Sequence, residues 1–109
     1  MAERPQNEII AQNLALYRKL HGLTQSELAE AIGYSDKSVS KWERGEGLPD
    51  VLLLLALSDI YGVTVSELIG QTKKSKATKE KLKSFQSDKK ANERAKKKAL
   101  ERAKKNRKN

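Results

Sequence analysis

Cysteine is absent from this chain of 109 residues, and histidine occurs once, as His21. The first absence excludes a disulfide framework and a thiolate metal site. The second leaves His21 unable to assemble a zinc site or a histidine-based catalytic set by itself. Long apolar runs are missing too. The longest, residues 51–57, falls well short of the roughly 20 residues a bilayer-crossing helix needs, and it reads as a core helix segment. Residues 1–7 are polar and do not resemble a signal peptide. No nucleophile–base or metal constellation remains. The expectation is a cytoplasmic protein that is not an enzyme, with no cofactor, no metal, no catalytic residue and no membrane partner.

The net charge of +9 hides a division. Residues 1–72 carry six basic side chains against ten acidic ones, a net −4, whereas residues 73–109 carry seventeen against four, a net +13. Such asymmetry marks a mildly acidic folded module followed by a polyanion-seeking arm. We therefore expect a small domain over 1–71 and a basic Lys/Arg/Ala-rich tail over 72–109.

Within the first part, the apolar pattern has helical spacing and no strand-length alternation, so the predicted fold class is all-α. A first helix over about residues 7–21 would turn Ile10, Leu14 and Tyr17 inward and end at Gly22. Thr24 to Glu27 has the form of a capping box opening a second helix. Ser35 caps a third helix that reaches about Arg44 and stops at Gly45 and Gly47. Pro49-Asp50 opens a fourth helix that continues to Tyr61 and Gly62, and Thr64 to Glu67 is a second capping box for a short fifth. The expected core is Ile10, Leu14, Tyr17, Leu23, Leu28, Ile32, Val39, Trp42, Leu48, Val51, Leu54, Leu55, Ile60, Val65 and Leu68. Each such side chain contributes roughly 1.5–3 kcal/mol when buried. His21 reads as a polar residue favourable to the C-terminal end of the first helix dipole.

Residues 25–42 are the most telling stretch. Leu28 and Ile32 lie four apart, Val39 and Trp42 three apart, and Ala29 is small where two helices must cross. Gly33 supplies the left-handed turn between them. This describes a helix-turn-helix unit, which is suited to placing its second helix in a DNA major groove. On a helical wheel, Val39 and Trp42 face inward with Ser38 at the edge, while Asp36, Lys37, Ser40, Lys41 and Arg44 share the outer arc. Lys37 and Lys41 have the reach and donors for guanine O6 and N7, and Asp36 can accept from cytosine N4. Arg44, near the helix end, suits a phosphate. Trp42 reads as a core anchor, and Gly45-Glu46-Gly47 as a turn.

The density of matching residues identifies a family resemblance. Leu23-Thr24-Gln25-Ser26-Glu27-Leu28-Ala29, Gly33-Tyr34-Ser35, Val39-Ser40-Lys41-Trp42-Glu43-Arg44-Gly45 and Leu48-Pro49-Asp50 resemble the Cro and phage-repressor type of helix-turn-helix, the XRE-like domains. The likeness continues through Leu57, Asp59-Ile60-Tyr61-Gly62-Val63 and Glu67-Leu68. It implies a compact five-helix phage-repressor-like domain that binds operator DNA, usually as a homodimer on two half-sites. Carried over residue by residue, it places Asp36, Lys37 and Lys41 at base-reading positions, with Ser40 on the same arc. Gln25, Ser35 and Arg44 fall at phosphate-contacting ones. Arg18 and Glu43 match a pair bridging the first and third helices, and with Gly33 and Trp42 they form the structural support. The residues argue the same way, because a carboxylate beside the inner face needs a partner and Arg18 offers a bidentate one. Leu16, Leu20, Leu52, Leu53 and Ala56 depart from the family, where these positions are commonly polar. They are either a thicker core with scattered surface leucines, or an apolar patch that pairs two subunits or docks the tail through Leu82 and Phe85.

The tail composition favours helix, and Glu93–Lys97 and Glu101–Lys105 are supportive pairs. The stripe Lys90, Arg94, Lys98 and Arg102 places like charges four apart and opposes it. The expectation is a partly helical or disordered segment, either a solubilising extension or an arm attracted to phosphates without regard to sequence. An anionic membrane or RNA shares the remainder, with no apolar face to favour insertion. The functional expectation is a sequence-specific double-stranded-DNA-binding transcriptional regulator, a repressor. The alternatives are an antitoxin-like protein-interaction module that autoregulates through the same domain, with a protein partner, and a general nucleic-acid-coating protein driven by the tail.

Overall fold

Local hydrogen bonding at the helix ends determines where each element starts and stops. In the computed structural model, residues 6–70 and 89–107 are described, with side chains described over 7–70 and 93–105. They form six helices: α1 (Gln6–Leu20), α2 (Gln25–Ile32), α3 (Asp36–Glu43), α4 (Val51–Tyr61), α5 (Val65–Leu68) and α6 (Lys89–Arg107). No strand occurs among the described residues. The fold is all-α, as expected.

The capping box of α2 is complete: Thr24 Oγ1 accepts from the Glu27 amide at 3.0 Å, and Glu27 Oε1 accepts from the Thr24 amide at 2.9 Å. Ser35 caps α3 by accepting from the Ser38 amide at 3.2 Å, and Asp50 caps α4 through the Leu53 amide at 2.8 Å. Thr64 does the same for α5 at 3.0 Å. Each bond satisfies an amide that the first helical turn leaves without a carbonyl. Gly33 ends α2 at a φ of 77°, in the left-handed region where a Cβ would be strained, so the chain reverses sharply into α3.

The core joins Ile10, Leu14, Tyr17 and Leu20 of α1 to Leu28 and Ala29 of α2, Val39 and Trp42 of α3, and Leu68 of α5. Leu53, Leu57, Ile60 and Tyr61 complete it from α4. Three expected core residues are outside it: Leu48, Val51 and Leu55 are 49%, 72% and 51% exposed. Leu48 lies in the segment before α4. For Val51 and Leu55 the reason lies in α4, whose run VLLLLAL is apolar all round and so marks no inner face. Its buried stripe is set by packing and uses Leu53, which the sequence reading counted among the departures. Ile32 and Leu54 are half-buried against the core, and Val65 is also half-buried. The departures divide: Leu20 and Leu53 are buried, Leu16 and Ala56 are half-buried, and Leu52 is exposed.

His21, expected as a polar residue complementing the end of the α1 dipole, is enclosed in the fold. It is buried, its Nδ1–H donates to the Tyr17 carbonyl at 2.8 Å, and its ring lies 4.8 Å from that of Tyr61. Tyr61 is enclosed between His21 and Tyr17, whose ring centroid is 6.1 Å away. Burial raises its phenol pKa above the ordinary tyrosine range, so it stays neutral.

The basic segment from Lys89 forms a long helix that docks. Ala99 and Ala103 of α6 are buried in the same core cluster, with Leu100 half-buried against it. Alanine has no bulk to hold helices apart, so α6 sits close on α2 and α4. Arg102 Nη1 donates to the Ile60 carbonyl at 3.1 Å, satisfying an acceptor in the last turn of α4 where a cation also complements the helix dipole. Lys96 forms an ion pair with Glu27. The expected anchors Leu82 and Phe85 lie outside the described residues.

Candidate nucleic-acid interface

The α2–turn–α3 unit is braced from beneath by a buried ion pair. Arg18 of α1 donates from Nε to Glu43 Oε2 at 2.7 Å and from Nη2 to Oε1 at 2.9 Å, with side-chain exposures of 10% and 7%. Arg18 Nη1 also donates to the Leu23 carbonyl at 2.7 Å, and Gln25 Nε2 donates to Glu43 Oε1 at 3.0 Å. One carboxylate at the last residue of α3 therefore ties together α1, the α1–α2 loop, the start of α2 and α3. Charge-assisted bidentate geometry is the strongest form such a tie takes, and burial makes each partner depend on the other.

Above this brace, Val39 and Trp42 anchor α3 inward, and Tyr34 in the turn meets the Trp42 ring edge-on at a centroid distance of 5.3 Å. The opposite arc is open. Asp36, Lys37 and Lys41 are exposed, and with Gln25, Ser40 and Arg44 they line one open surface groove. A carboxylate, an amide, a hydroxyl and three cations thus converge on one side of α3. That mixture of donors and acceptors is what base edges and phosphates require.

A helix-turn-helix family model matches residues 14–68, half of the chain. The chain belongs to the helix-turn-helix family. The transcriptional repressor RstR of cryptic phage CTXphi in Vibrio cholerae is 39% identical over 62 residues, covering 57% of this chain and 55% of the repressor. An uncharacterized HTH-type transcriptional regulator, y4dJ of Sinorhizobium fredii, is 34% identical over 62% of this chain and 88% of its own length. Antitoxin PezA of Streptococcus pneumoniae is 31% identical over 60% of this chain and 41% of the antitoxin. The match thus spans little more than half of the repressor and less than half of the antitoxin. No solved structure matches the chain significantly.

Within the helix-turn-helix unit, three side chains do more than their sequence positions suggested. Gln25, expected at a phosphate, spends its amide on Glu43 and so belongs partly to the brace. Arg44 Nε donates to Glu46 Oε2 at 2.6 Å, and its Nη1 donates to Ser40 Oγ. The guanidinium beside Glu46 holds that carboxyl below the usual range, and Glu46 in turn raises the Arg44 pKa. Both partners are half-exposed, so a phosphate arriving at Arg44 competes with Glu46 for it. Ser35 Oγ is committed to the α3 cap and lies 3.1 Å from Ser38 Oγ. The sequence reading missed Glu46 as the holder of Arg44. The signal was present, since an acid two residues past a helix-end arginine sits within its reach.

No helix among the described residues is long and apolar enough to cross a membrane.

Proposed function

We propose that this chain is a sequence-specific double-stranded-DNA-binding transcriptional regulator that reads the major groove with α3 and acts as a repressor by occupying its operator. The observation that carries this reading is the open arc of Asp36, Lys37, Ser40 and Lys41 on a helix whose other face is pinned by Trp42 and the Arg18–Glu43 pair. A rigid helix with polar side chains directed outward is preorganised for a groove, because little side-chain and backbone freedom is lost on docking. In this reading Asp36, Lys37, Ser40 and Lys41 contact bases, while Gln25, Ser35 and Arg44 contact phosphates. The resemblance to a phage repressor supports the same activity, exerted in the cytoplasm where the chromosome lies.

Operators of this kind are read in pairs of half-sites, and the surface we assign to a second copy of the chain is the exposed apolar set Leu48, Val51, Leu52 and Leu55. That set begins five residues after Glu43, the end of the reading helix. A dimer of this motif binds half-sites about one helical turn of DNA apart.

The decisive experiment is in vitro selection of duplex DNA by the full chain, repeated with Lys41→Ala. The wild type should return a consensus, and the variant should lose preference at one base pair, costing about 1–3 kcal/mol there. Recovery of random sequence by the wild type would overturn the reading. The likeness to an antitoxin supports a second function, neutralisation of a protein partner combined with autoregulation, which co-purification of a small partner would reveal.

A further inference from the structure

The folded unit that carries the reading helix is mildly acidic, whereas phosphate attraction supplies much of any protein's affinity for DNA. Much of the missing positive charge is on α6, which carries ten cations and two acids, and α6 packs against the helix-turn-helix. Lys96 pairs with Glu27 in the first turn of α2. Leu100, Ala103 and Lys104 of α6 share a surface cavity with Glu27, Glu30 and Ala31 of α2. Lys96 therefore places its stretch of α6 at the first turn of α2. The Arg102–Ile60 hydrogen bond prevents α6 from sliding along this track.

α6 begins seven residues before Lys96, about 10 Å of helix at 1.5 Å per residue, so its own N-terminal half makes the contact with the N-terminal end of α2. That end is where the first helix of the unit crosses the DNA backbone in this motif. Among the α6 residues with described side chains, the exposed cations flanking Lys96 on its N-terminal and C-terminal sides include Arg94 and Lys97, accompanied by one acid, Glu93. Lys96 meanwhile neutralises Glu27, the one carboxylate in the first turn of α2 that would repel an approaching phosphate.

We infer that the N-terminal half of α6 is a second DNA-contacting element, gripping the phosphate backbone next to the α2 contact through Arg94 and Lys97. This rests on the proposed DNA-reading role, and it differs from diffuse attraction by a basic tail in one respect: position along α6 decides the effect. Lys104 and Lys105 provide the matched comparison. Lys104 follows Lys97 by seven residues and Lys105 follows Arg94 by eleven, nearly whole numbers of turns, so the two pairs occupy the same faces of the helix. Only their distance from the N-terminal end of α2 differs.

The test compares the full chain with Arg94→Gln/Lys97→Gln and with Lys104→Gln/Lys105→Gln, measuring duplex affinity across a salt series. All four side chains are exposed, so both variants should keep the wild-type circular dichroism. Loss of two phosphate contacts should lower the slope of log affinity against log salt by about 1.8 in the first variant. The second should change it by less than a third of that. Equal losses in the two variants, or none in either, would overturn the inference. The series is run on the selected operator and on a duplex of scrambled sequence. Failure of base reading would appear as equal affinity for the two duplexes, whereas failure of the α6 contact would appear as equal slopes for the two variants.

Discussion

Arg18 and Glu43 lie 25 residues apart in sequence, yet they meet in a two-pronged ion pair that fixes the end of α3 to the first helix of the fold. Because both side chains are almost wholly shielded, neither charge is tolerable without the other. Glu43→Ala strands the Arg18 guanidinium and also removes the acceptor of Gln25. Unfolding in urea should show a loss of about 3–5 kcal/mol. Glu43→Gln, which keeps one acceptor, should lose less. A loss below about 0.5 kcal/mol for the alanine variant, the range of ordinary surface substitutions, would mean that the pair does not position α3.

Docking of α6 depends on the smallness of Ala99, which has no solvent exposure. Ala99→Leu forces extra carbons into a filled site and should cost about 1–3 kcal/mol in chemical denaturation. Lys98→Leu, one residue away on the exposed side, should stay within about 0.5 kcal/mol of the wild type. Equal effects from the two substitutions would show that α6 does not pack as described.

The Glu27–Lys96 pair makes α6 docking sensitive to acid. The hydrogen bond from Lys96, with the Thr24 amide behind it, lowers the Glu27 carboxyl below its ordinary value of 4.5. A group depressed in the folded state contributes its stability above its unfolded pKa, and that contribution disappears as pH falls through the folded value. The pair is partly exposed, so its worth is about 0.2–1 kcal/mol and is screened by salt. Comparing wild type with Glu27→Gln from pH 7 to pH 3, the stability difference should be constant down to about pH 4.5 and shrink below it. A difference that does not vary with pH would exclude the pair as its source.

The exposed leucine face should govern self-association. Val51→Ser/Leu52→Ser replaces two side chains that are 72% and 78% exposed and outside the core. Folding should be retained while sedimentation equilibrium shifts toward monomer, and operator binding should lose its steep concentration dependence. An unchanged assembly state would move the subunit contact elsewhere.

The helix ends and the turn of the reading unit were legible from neighbouring residues alone. Thr24 with Glu27, Ser35 with Ser38 and Asp50 with Leu53 each close a hydrogen bond across three residues, so the information needed lies within one turn. Gly33 is legible for the same reason, since backbone conformation is a property of a single residue. The inward anchors Val39 and Trp42 follow from spacing on an otherwise polar helix. Three-dimensional packing alone decided which leucines of α4 face inward, because a run without polar residues contains no periodic contrast. It also decided that Arg102 reaches Ile60 across 42 residues and that a basic, alanine-bearing segment packs against α2 and α4. Such contacts depend on where two distant surfaces meet, and the short side chain of alanine gives no sign beforehand that it will close against another helix.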